Sequence, residues 1–243
     1  MHSKRPISFG GSERAVLTAV ILVAALGAAC AASRDFAAER SAMVARLRRH
    51  QITNPRVLQA MARVPRHLFV AEARRSQAYD EAEIPLGGGE VMCSPYVTAL
   101  MAQVLDPSPG ANILEVGTGS GYLTAVLAEI TSEVHTIDMR ADLARAAQAR
   151  LRSLHYTKVT CGSGNACRGW AQHGPFDRIV VNCAAQVTPE SLIAQLKDGG
   201  RLVIPIGQGP EQTLNCMRKS GGRLRAETIM KIRVSPMVCQ HRR

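Results

Sequence analysis

Residues 111–130 read ANILEVGTGSGYLTAVLAEI, and this stretch decides the fold. Its first part is an apolar run around Glu115, which is followed by Gly117, Gly119 and Gly121 and then by apolar residues at helical spacing. A strand, a glycine turn and a helix in this order form the first unit of a nucleotide-binding α/β sheet. Glycine allows a sharp turn there and lets a ligand approach bare main chain.

The spacing of the glycines and the acidic residues on either side narrow the choice of ligand. The glycines follow G-x-G-x-G, whereas the dinucleotide fingerprint is G-x-G-x-x-G. Glu115 would repel a phosphate but suits the sulfonium and amino groups of S-adenosylmethionine. Asp138 ends the next apolar stretch, about twenty residues past the turn, where a carboxylate can accept both ribose hydroxyls. The alternatives are an ordinary glycine turn in another α/β protein and a helix-capping role for Asp138.

Length and composition set the broad class of the protein. A chain of 243 residues with 46% hydrophobic residues can form one α/β domain with an N-terminal addition. The formal net charge of +11 is compatible with nucleic acid, an acidic membrane surface or acidic protein segments, and equally with a basic solvated surface. Only 4% of the residues are aromatic and no RNA-stacking motif is visible, so we expect no nucleic-acid partner.

The cysteines show neither a zinc motif nor a disulfide framework. None forms a C-x-x-C pair, and no cluster of histidine and cysteine has zinc spacing, so we predict no metal. Most are expected to be small buried hydrophobic residues. The seven are Cys30, Cys93, Cys161, Cys167, Cys183, Cys216 and Cys239.

The N-terminal residues have the pattern of a targeting segment. An uncharged run at residues 15–32 follows a basic lead and ends in small residues around Cys30, which is typical of a secretory signal peptide. The run is also nearly long enough for a membrane anchor, and Met43 offers an alternative start of translation. We therefore assign residues 1–33 to a leader that is signal-peptide-like or an anchor.

Beyond the leader, helix and strand patterns alternate. Helices are predicted at 34–50, from Asn54-Pro55, and at 97–105, 143–154 and 189–196; strands are predicted at 113–116, 134–137, 159–161, 176–182 and 201–205. This alternation predicts an α/β fold, with a doubly wound, mostly parallel, Rossmann-like sheet, helices on both faces and an N-terminal helical addition. Strand-like segments at 214–217 and 229–234 predict antiparallel edge strands.

We interpret residues 34–243 as a single domain with three parts. Residues 34–106 hold the N-terminal helices and a substrate loop, 107–210 the cofactor-binding core, and 211–243 the edge strands. The substrate loop is expected at residues 84–96, IPLGGGEVMCSPY. Three adjacent glycines followed by a mixed polar run exclude a regular helix, and we predict a loop that closes over a ligand.

Several segments together resemble the protein-L-isoaspartate O-methyltransferase family. They are VPRHLFV at 64–70, PY at 95–96, ILEVGTGSGY at 113–122, PFD at 175–177 and QLKDGGRLVIPIG at 195–207. The resemblance covers residues 34–237. It implies a class I methyltransferase that uses S-adenosyl-L-methionine to methylate the free carboxyl of L-isoaspartyl residues, with isoaspartyl-containing peptides and damaged proteins as partners.

The resemblance also implies the site residues. The functional serine of the family falls on Cys93, which is therefore the predicted catalytic residue; the alternative is a buried structural cysteine. The residues implied for cofactor binding are Glu115, Gly117, Thr118, Gly119, Ser120, Gly121, Asp138, Gly162 and Ser163.

Two segments depart from the pattern of the family. Residues 89–95 read GEVMCSP where the family has GQTISQP, so Glu90 adds a charge that could repel a substrate carboxylate, and the thiol of Cys93 is a weaker donor than a hydroxyl. The Gly-Asp-Gly of the family near the adenine reads GSG at 162–164. The substrate loop is thus altered more than the cofactor site.

The resemblance leads to a prediction of an active protein-repair enzyme. An isoaspartyl carboxylate has a pKa near ~4 and is ionised at neutral pH, so it needs alignment rather than a general base. One alternative is a catalytically altered family member that serves as a protein-binding scaffold or damage sensor. Another is a methyltransferase acting on a different acceptor such as RNA, although residues 182–185 read NCAA rather than an NPPY-type motif.

Two further expectations concern location and assembly. Because S-adenosylmethionine is made in the cytosol, we predict a cytoplasmic protein. Export to the periplasm and membrane association through residues 1–32 are the alternatives. We expect a monomer.

Overall fold

The computed structural model describes residues 34–239. The predicted leader and its cleavage site lie outside these residues. The chain divides into Met1–Asp35 and Phe36–Arg243, and every element described below belongs to the second unit. None of the helices within residues 34–239 has the length and apolar character needed to cross a membrane.

Nine strands are described in residues 34–239, and seven of them form one sheet in the order β5-β4-β3-β6-β7-β8-β9. They are β1 Ile84–Gly87, β2 Glu90–Met92, β3 Asn112–Val116, β4 Glu133–Asp138, β5 Val159–Ser163, β6 Phe176–Val181, β7 Leu196–Ile206, β8 Gln212–Ser220 and β9 Arg223–Ile232. Strands β3 to β7 pair in parallel, whereas β8 and β9 pair antiparallel at one edge. The predicted mostly parallel α/β sheet with antiparallel edge strands is confirmed.

Six α-helices of the described chain pack around this sheet. They are α1 Phe36–Arg49, α2 Pro55–Arg63, α3 Pro95–Leu105, α4 Tyr122–Ala128, α5 Ala141–Ser153 and α6 Glu190–Gln195. The start of α2 was expected at Asn54-Pro55, and there the Asn54 side chain accepts hydrogen bonds from the backbone of Arg56 and Val57. These bonds satisfy amide groups that have no partner within the helix.

Both faces of the sheet are buried, which explains why its central strands read as continuous apolar runs. Successive side chains of a strand point to opposite faces. Accordingly Ile113 of β3 joins a hydrophobic cluster with the N-terminal helices, whereas its neighbour Leu114 joins a second cluster with Leu192 of α6. The predicted helices on both faces are confirmed.

The segment predicted as a loop at residues 84–96 is instead a β-hairpin followed by a helix start. Strands β1 and β2 pair antiparallel, with Ile84 opposite Met92 and Gly87 opposite Glu90. Gly88 and Gly89 form the turn with φ angles of +64° and +84°, the backbone that a two-residue hairpin loop needs. The run of glycines therefore encodes a tight turn between two short strands rather than an irregular loop.

Two boundaries also differ from those expected. Helix α3 begins at Pro95 rather than at 97, because Pro is favoured at the first position and the Ser94 hydroxyl accepts the Val97 amide at 3.3 Å. Strand β7 begins at Leu196 and includes the predicted turn at 199–200, beside a register shift in its pairing with β6.

The cysteines are only partly the buried residues that were expected. Cys93, Cys183 and Cys216 are buried free thiols. Cys167 and Cys239 form a disulfide with their Cα atoms 5.6 Å apart and a sequence separation of 72. Sequence spacing alone leaves open whether any disulfide forms, and this pair meets because the fold brings Cys239 back beside the residues that follow β5.

Candidate active site

A cleft with a cavity volume of about 190 Å³ opens at the carboxyl ends of the central strands. This is where open α/β sheets bind ligands. The cleft is lined by Gly88, Glu90, Val91, Gly117, Gly119, Asp138, Met139, Arg140, Ala166, Asn182, Cys183, Pro236, Met237 and Val238. It thus unites the glycine turn, the β1–β2 hairpin and the last described residues of the chain.

The glycine turn forms the floor of this cleft. The Gly117 amide donates to the Ile137 carbonyl at 2.8 Å, so the turn is fixed to the neighbouring strand β4. Gly117 and Gly119 line the cleft with φ angles of +94° and +52°, a backbone region that other residues rarely adopt. Their bare main chain leaves room for a ligand, as the sequence indicated.

The other residues of the turn support its shape. The hydroxyl groups of Thr118 and Thr136 are hydrogen-bonded at 2.7 Å and buried. The Ser120 hydroxyl accepts the Tyr122 amide at the start of α4. A Cβ on Gly121 would lie 3.3 Å from the Ala147 side chain, so glycine permits close packing against α5. Thr118, Ser120 and Gly121 do not line the cleft.

Asp138 lies at the end of β4 and faces the cleft. Its Oδ2 accepts the Gly119 amide at 2.9 Å, and its Oδ1 accepts the Arg140 amide at 2.9 Å. A carboxylate offers about four acceptor positions, so two of these remain for ligand hydroxyls. The residue therefore holds the glycine turn and presents unused acceptor capacity to the cleft.

Glu115 lies beneath the glycine turn. Its side chain is fully buried outside the cleft lining, and its Oε2 accepts a hydrogen bond from the Thr124 hydroxyl. Burial raises its pKa to about 8, with a smaller contribution from the charge of Asp138. Burial thus favours the uncharged carboxyl, and the direct contact with a cationic ligand stays a prediction.

Gly162 and Ser163 also lie outside the cleft lining. A Cβ on Gly162 would lie 2.5 Å from the Trp170 ring, so the absence of a side chain there makes room for an aromatic residue. Ser163 pairs with Asp138 between β5 and β4 and is exposed. Nearby in sequence, Met139 and Ala166 do line the cleft.

Cys93 lies directly after the hairpin and is 4% exposed. Its thiol donates to Asn182 Oδ1 at 3.4 Å, and Asn182 Nδ2 donates to the Gly117 carbonyl at 3.3 Å. Burial raises the pKa of the Cys93 thiol to about 12, so the group keeps its proton at neutral pH. The thiol is therefore a hydrogen-bond donor and not a nucleophile.

The hairpin is fixed over the cleft by side chains from distant parts of the chain. Arg140 Nη1 donates to the Gly87 carbonyl at 3.5 Å, and the same guanidinium forms an ion pair with Asp142. On the other strand the Val91 amide donates to the Ser235 hydroxyl at 3.1 Å. The β1–β2 hairpin is thus held over the cleft by contacts between residues up to 144 positions apart in sequence.

The sequence interpretation missed several residues of the cleft. Asn182 and Cys183 directly follow β6, and residues at the carboxyl end of a central strand are a recognisable signal. Arg140 and residues 236–238 gave no such signal, because only the folded chain brings them to the hairpin and the glycine turn. The ionisable side chains of the lining are those of Glu90, Asp138, Arg140 and Cys183, a set suited to binding and alignment.

Comparisons with known proteins match most of the chain to the family that its motifs resemble. The family model described as protein-L-isoaspartate(D-aspartate) O-methyltransferase matches residues 38–242. The chain is 43% identical over 207 residues to a protein-L-isoaspartate O-methyltransferase of Roseiflexus castenholzii, covering 85% of this chain and 95% of that protein. It is 42% identical over 210 residues to protein-L-isoaspartate O-methyltransferase 1 of Cupriavidus necator, covering 86% and 81%.

Solved structures agree on the fold. A protein-L-isoaspartate O-methyltransferase superposes with a TM-score of 0.74 at 22% identity, covering 81% of this chain and 65% of that one. A Plasmodium falciparum protein assigned to the same enzymes, solved with S-adenosyl-L-homocysteine, gives a TM-score of 0.70 at 23% identity, covering 81% and 97%. With the family match across the described elements, the chain belongs to the protein-L-isoaspartate(D-aspartate) O-methyltransferase family.

Proposed function

We propose that this chain transfers the methyl group of S-adenosyl-L-methionine to the free carboxyl of L-isoaspartyl residues in damaged proteins. One observation carries the proposal: the family motifs converge on one cleft, where the glycine turn and Asp138 face the hairpin that precedes Cys93. The family to which the chain belongs and its relatives at 42–43% identity support the same reaction.

The residues on the cofactor side fit S-adenosylmethionine, which supplies an electrophilic methyl group on a sulfonium. Gly117 and Gly119 present bare main chain, and Asp138 has acceptor capacity for ribose hydroxyls. Thr118, Ser120 and Gly121 hold the turn in shape. Gly162 and Ser163 follow at the next strand end and act on this side through the Trp170 packing and the pairing with Asp138.

The residues on the substrate side align an acceptor that needs no activation. A carboxyl with a pKa near ~4 is already ionised at neutral pH. Asn182 lines the cleft, and its amide group orients the carboxylate toward the methyl donor. The protonated Cys93 thiol lies buried outside the cleft lining and fixes Asn182 by donating to its Oδ1. Alignment of this kind supplies up to about 7–11 kcal/mol in model reactions.

Glu90 supports a second candidate function, because its carboxylate lines the cleft and would oppose a substrate carboxylate. A family member with weak turnover could use the same cleft to bind damaged proteins as a scaffold or sensor. Under this alternative the cofactor binds but methyl transfer to the isoaspartyl peptide is very slow.

Incubation with labelled S-adenosylmethionine tests these functions. The acceptors are an isoaspartyl peptide, the matched aspartyl peptide and RNA. We expect label in the isoaspartyl peptide alone. Binding of that peptide without transfer would favour the scaffold, and label in RNA would replace the proposal with another acceptor.

Location and assembly complete the proposal. A cytoplasmic monomer fits a reaction that consumes a cytosolic methyl donor, whereas the Cys167–Cys239 disulfide is of a kind that persists in oxidising compartments. Fractionation of the native source with N-terminal sequencing and light scattering decides both points. A periplasmic protein beginning near residue 32 would contradict the cytoplasmic assignment.

A further inference from the structure

Arg66 is a buried cation that the proposed chemistry leaves unexplained. It opens the short 3₁₀ helix Arg66–Phe69, and its side chain has no exposed surface. None of the ion pairs among residues 34–239 includes it. Burying a charge without a counterion is costly, so the contacts that replace the counterion deserve an explanation.

These contacts lie at the two ends of the segment that carries the hairpin. Arg66 Nε donates to the Ala78 carbonyl at 2.7 Å, and Nη2 donates to the Cys93 carbonyl at 2.6 Å. Ala78 precedes strand β1 and Cys93 follows strand β2. One guanidinium therefore ties together the two points at which the chain enters and leaves the hairpin segment.

The same guanidinium also connects this segment to the glycine turn. Its Cζ lies 4.5 Å from the centre of the Tyr122 ring, and Tyr122 is the first residue of α4, directly after the turn. A cation over an aromatic face is stabilised by the ring quadrupole. A planar fork with five donors can serve two carbonyls and a ring at once, whereas the point charge of lysine cannot.

We propose that Arg66 is a positioning residue for methyl transfer, which fixes the base of the hairpin against the start of α4 so that the Cys93 thiol holds Asn182 toward the substrate. The inference rests on the proposed function for its kinetic consequence. The structural consequence, that loss of the Arg66 guanidinium loosens residues 78–93, does not depend on the proposed function.

The cofactor side is held by other bonds, and this predicts a selective effect. The Gly117 amide is bonded to Ile137 and the Gly119 amide to Asp138, and neither bond involves Arg66. Loosening the hairpin should therefore impair turnover of the peptide much more than binding of the cofactor. A residue with only a general structural role would lower both together.

The experiment compares Arg66→Lys and Arg66→Gln with Arg178→Lys. Arg178 Nε also donates to a main-chain carbonyl, that of Asp106 at 3.2 Å, but this bond lies outside the hairpin segment and the cleft lining. For both Arg66 variants we expect kcat on an isoaspartyl peptide to fall about 10²-fold, as misplacement by about 1 Å can cause. The dissociation constant of S-adenosyl-L-homocysteine should stay within about twofold of wild type, and Arg178→Lys should change neither value beyond that factor.

A second readout works without catalysis. The alkylation rate of Cys93 by iodoacetamide, followed by peptide mass spectrometry, should rise about tenfold in the Arg66 variants, because local opening exposes a buried thiol. Unchanged kcat and alkylation, equal losses in peptide turnover and cofactor affinity, or failure of both variants to fold would overturn the inference. A wild-type protein without isoaspartyl activity refutes the proposed function instead, and alkylation still decides the role of Arg66.

Discussion

The two sides of the cleft are built in different ways. The glycine turn with Asp138 is the cofactor wall, and the β1–β2 hairpin with Cys93 is the substrate wall. On the cofactor side, the ends of neighbouring strands β3 and β4 hold the glycine turn through main-chain amides, as in the bond from Gly119 to Asp138. On the substrate side, a small hairpin is held by single side chains from remote segments, among them Arg66 and Ser235. The sheet thus presets the cofactor wall, whereas the substrate wall depends on a few individual contacts.

This difference explains where the chain departs from the family pattern. Of the unusual residues, Glu90 and Cys93 lie on the substrate wall and Ser163 lies outside the cleft lining, whereas the G-x-G-x-G turn is intact. A change in a side chain on the hairpin alters one contact. At Gly117, by contrast, any residue with a Cβ would be strained, because the turn requires a φ angle of +94° there. The cofactor wall is therefore expected to respond strongly to substitution and the substrate wall more gradually.

The largest effect expected on the cofactor wall is that of Asp138→Ala. The substitution removes the acceptor for the Gly119 amide and the proposed acceptor for the ribose hydroxyls. A hydrogen bond to a charged group is worth about 1.5–3 kcal/mol, so the dissociation constant of S-adenosyl-L-homocysteine should rise at least about tenfold. Titration calorimetry measures this constant.

Asp198→Ala is the matched control for this change. The Asp198 carboxylate also accepts a glycine amide, that of Gly222 at 3.2 Å, but the residue is exposed and lies outside the cleft lining. Its cofactor affinity should equal that of the wild type. An unchanged affinity in Asp138→Ala, with the fold intact by circular dichroism, would remove Asp138 from the binding site.

The next effect concerns stability beneath the cofactor wall. The pKa of Glu115 is raised from 4.5 to about 8 in the folded chain, so the folded state holds an extra proton between these values. Stability from this group is present at low pH and is lost as pH rises toward 8. Glu115→Gln keeps the shape without the ionisation, so its Tm should exceed that of wild type by about 3 °C or more at pH 9 and by less at pH 6.

Thermal unfolding from pH 6 to pH 9 provides the measurement. Glu72→Gln is the control, because Glu72 is exposed in the 3₁₀ helix Glu72–Gln77. The control should show the same pH dependence as wild type. If the Tm of Glu115→Gln shows the same pH dependence as that of wild type, the pKa of Glu115 is not raised by folding.

The parts of the site that the sequence predicted are local ones. The glycine turn and Asp138 belong to a single strand-turn-helix-strand unit, so their proximity follows from chain order and right-handed winding. Asn182, Arg140 and residues 236–238 reach the cleft through sheet order and the return of the chain end. No local pattern encodes these long-range relationships.

Glu115 shows that a strand assignment does not settle which way a side chain faces. Successive side chains alternate between faces, so Glu115 shares a face with Ile113, and that face is covered by Thr124 of α4. Its distance in sequence from the turn does not reveal this face. The hairpin was missed for a related reason, since three adjacent glycines hide the two strands that flank them.

A smaller effect sharpens the comparison on the substrate wall. Cys93→Ser replaces a weak donor by a stronger one that faces Asn182. We expect kcat/KM on an isoaspartyl peptide to be unchanged or to rise by up to about fivefold, which corresponds to about 1 kcal/mol. Steady-state kinetics with Cys93→Ala as the control, which should lose activity because it has no donor, tests this. A collapse of activity in a folded Cys93→Ser protein would mean that the reaction depends on the thiol itself.

The smallest predicted effect lies where the two walls meet, at the end of the chain. Pro236, Met237 and Val238 line the cleft, and the next residue, Cys239, is bonded to Cys167. The segment also keeps two main-chain bonds to Ala184, at 2.7 and 2.8 Å, so loss of the disulfide should loosen it without releasing it. Cys239→Ser should therefore raise the dissociation constant of S-adenosyl-L-homocysteine only about two- to threefold, the cost of ordering one or two side chains.

Dithiothreitol separates this effect from a change in the side chain. Its two thiols reduce the Cys167–Cys239 disulfide and are themselves oxidised to a disulfide. The reductant should therefore weaken cofactor binding by wild type to the level of Cys239→Ser and leave the affinity of that variant unchanged. Cys161→Ser, outside the disulfide, should respond to the reductant as wild type does. If reduction leaves the affinity of wild type unchanged, the bonds to Ala184 suffice to form this part of the wall, and both walls are then set by main-chain contacts where they meet.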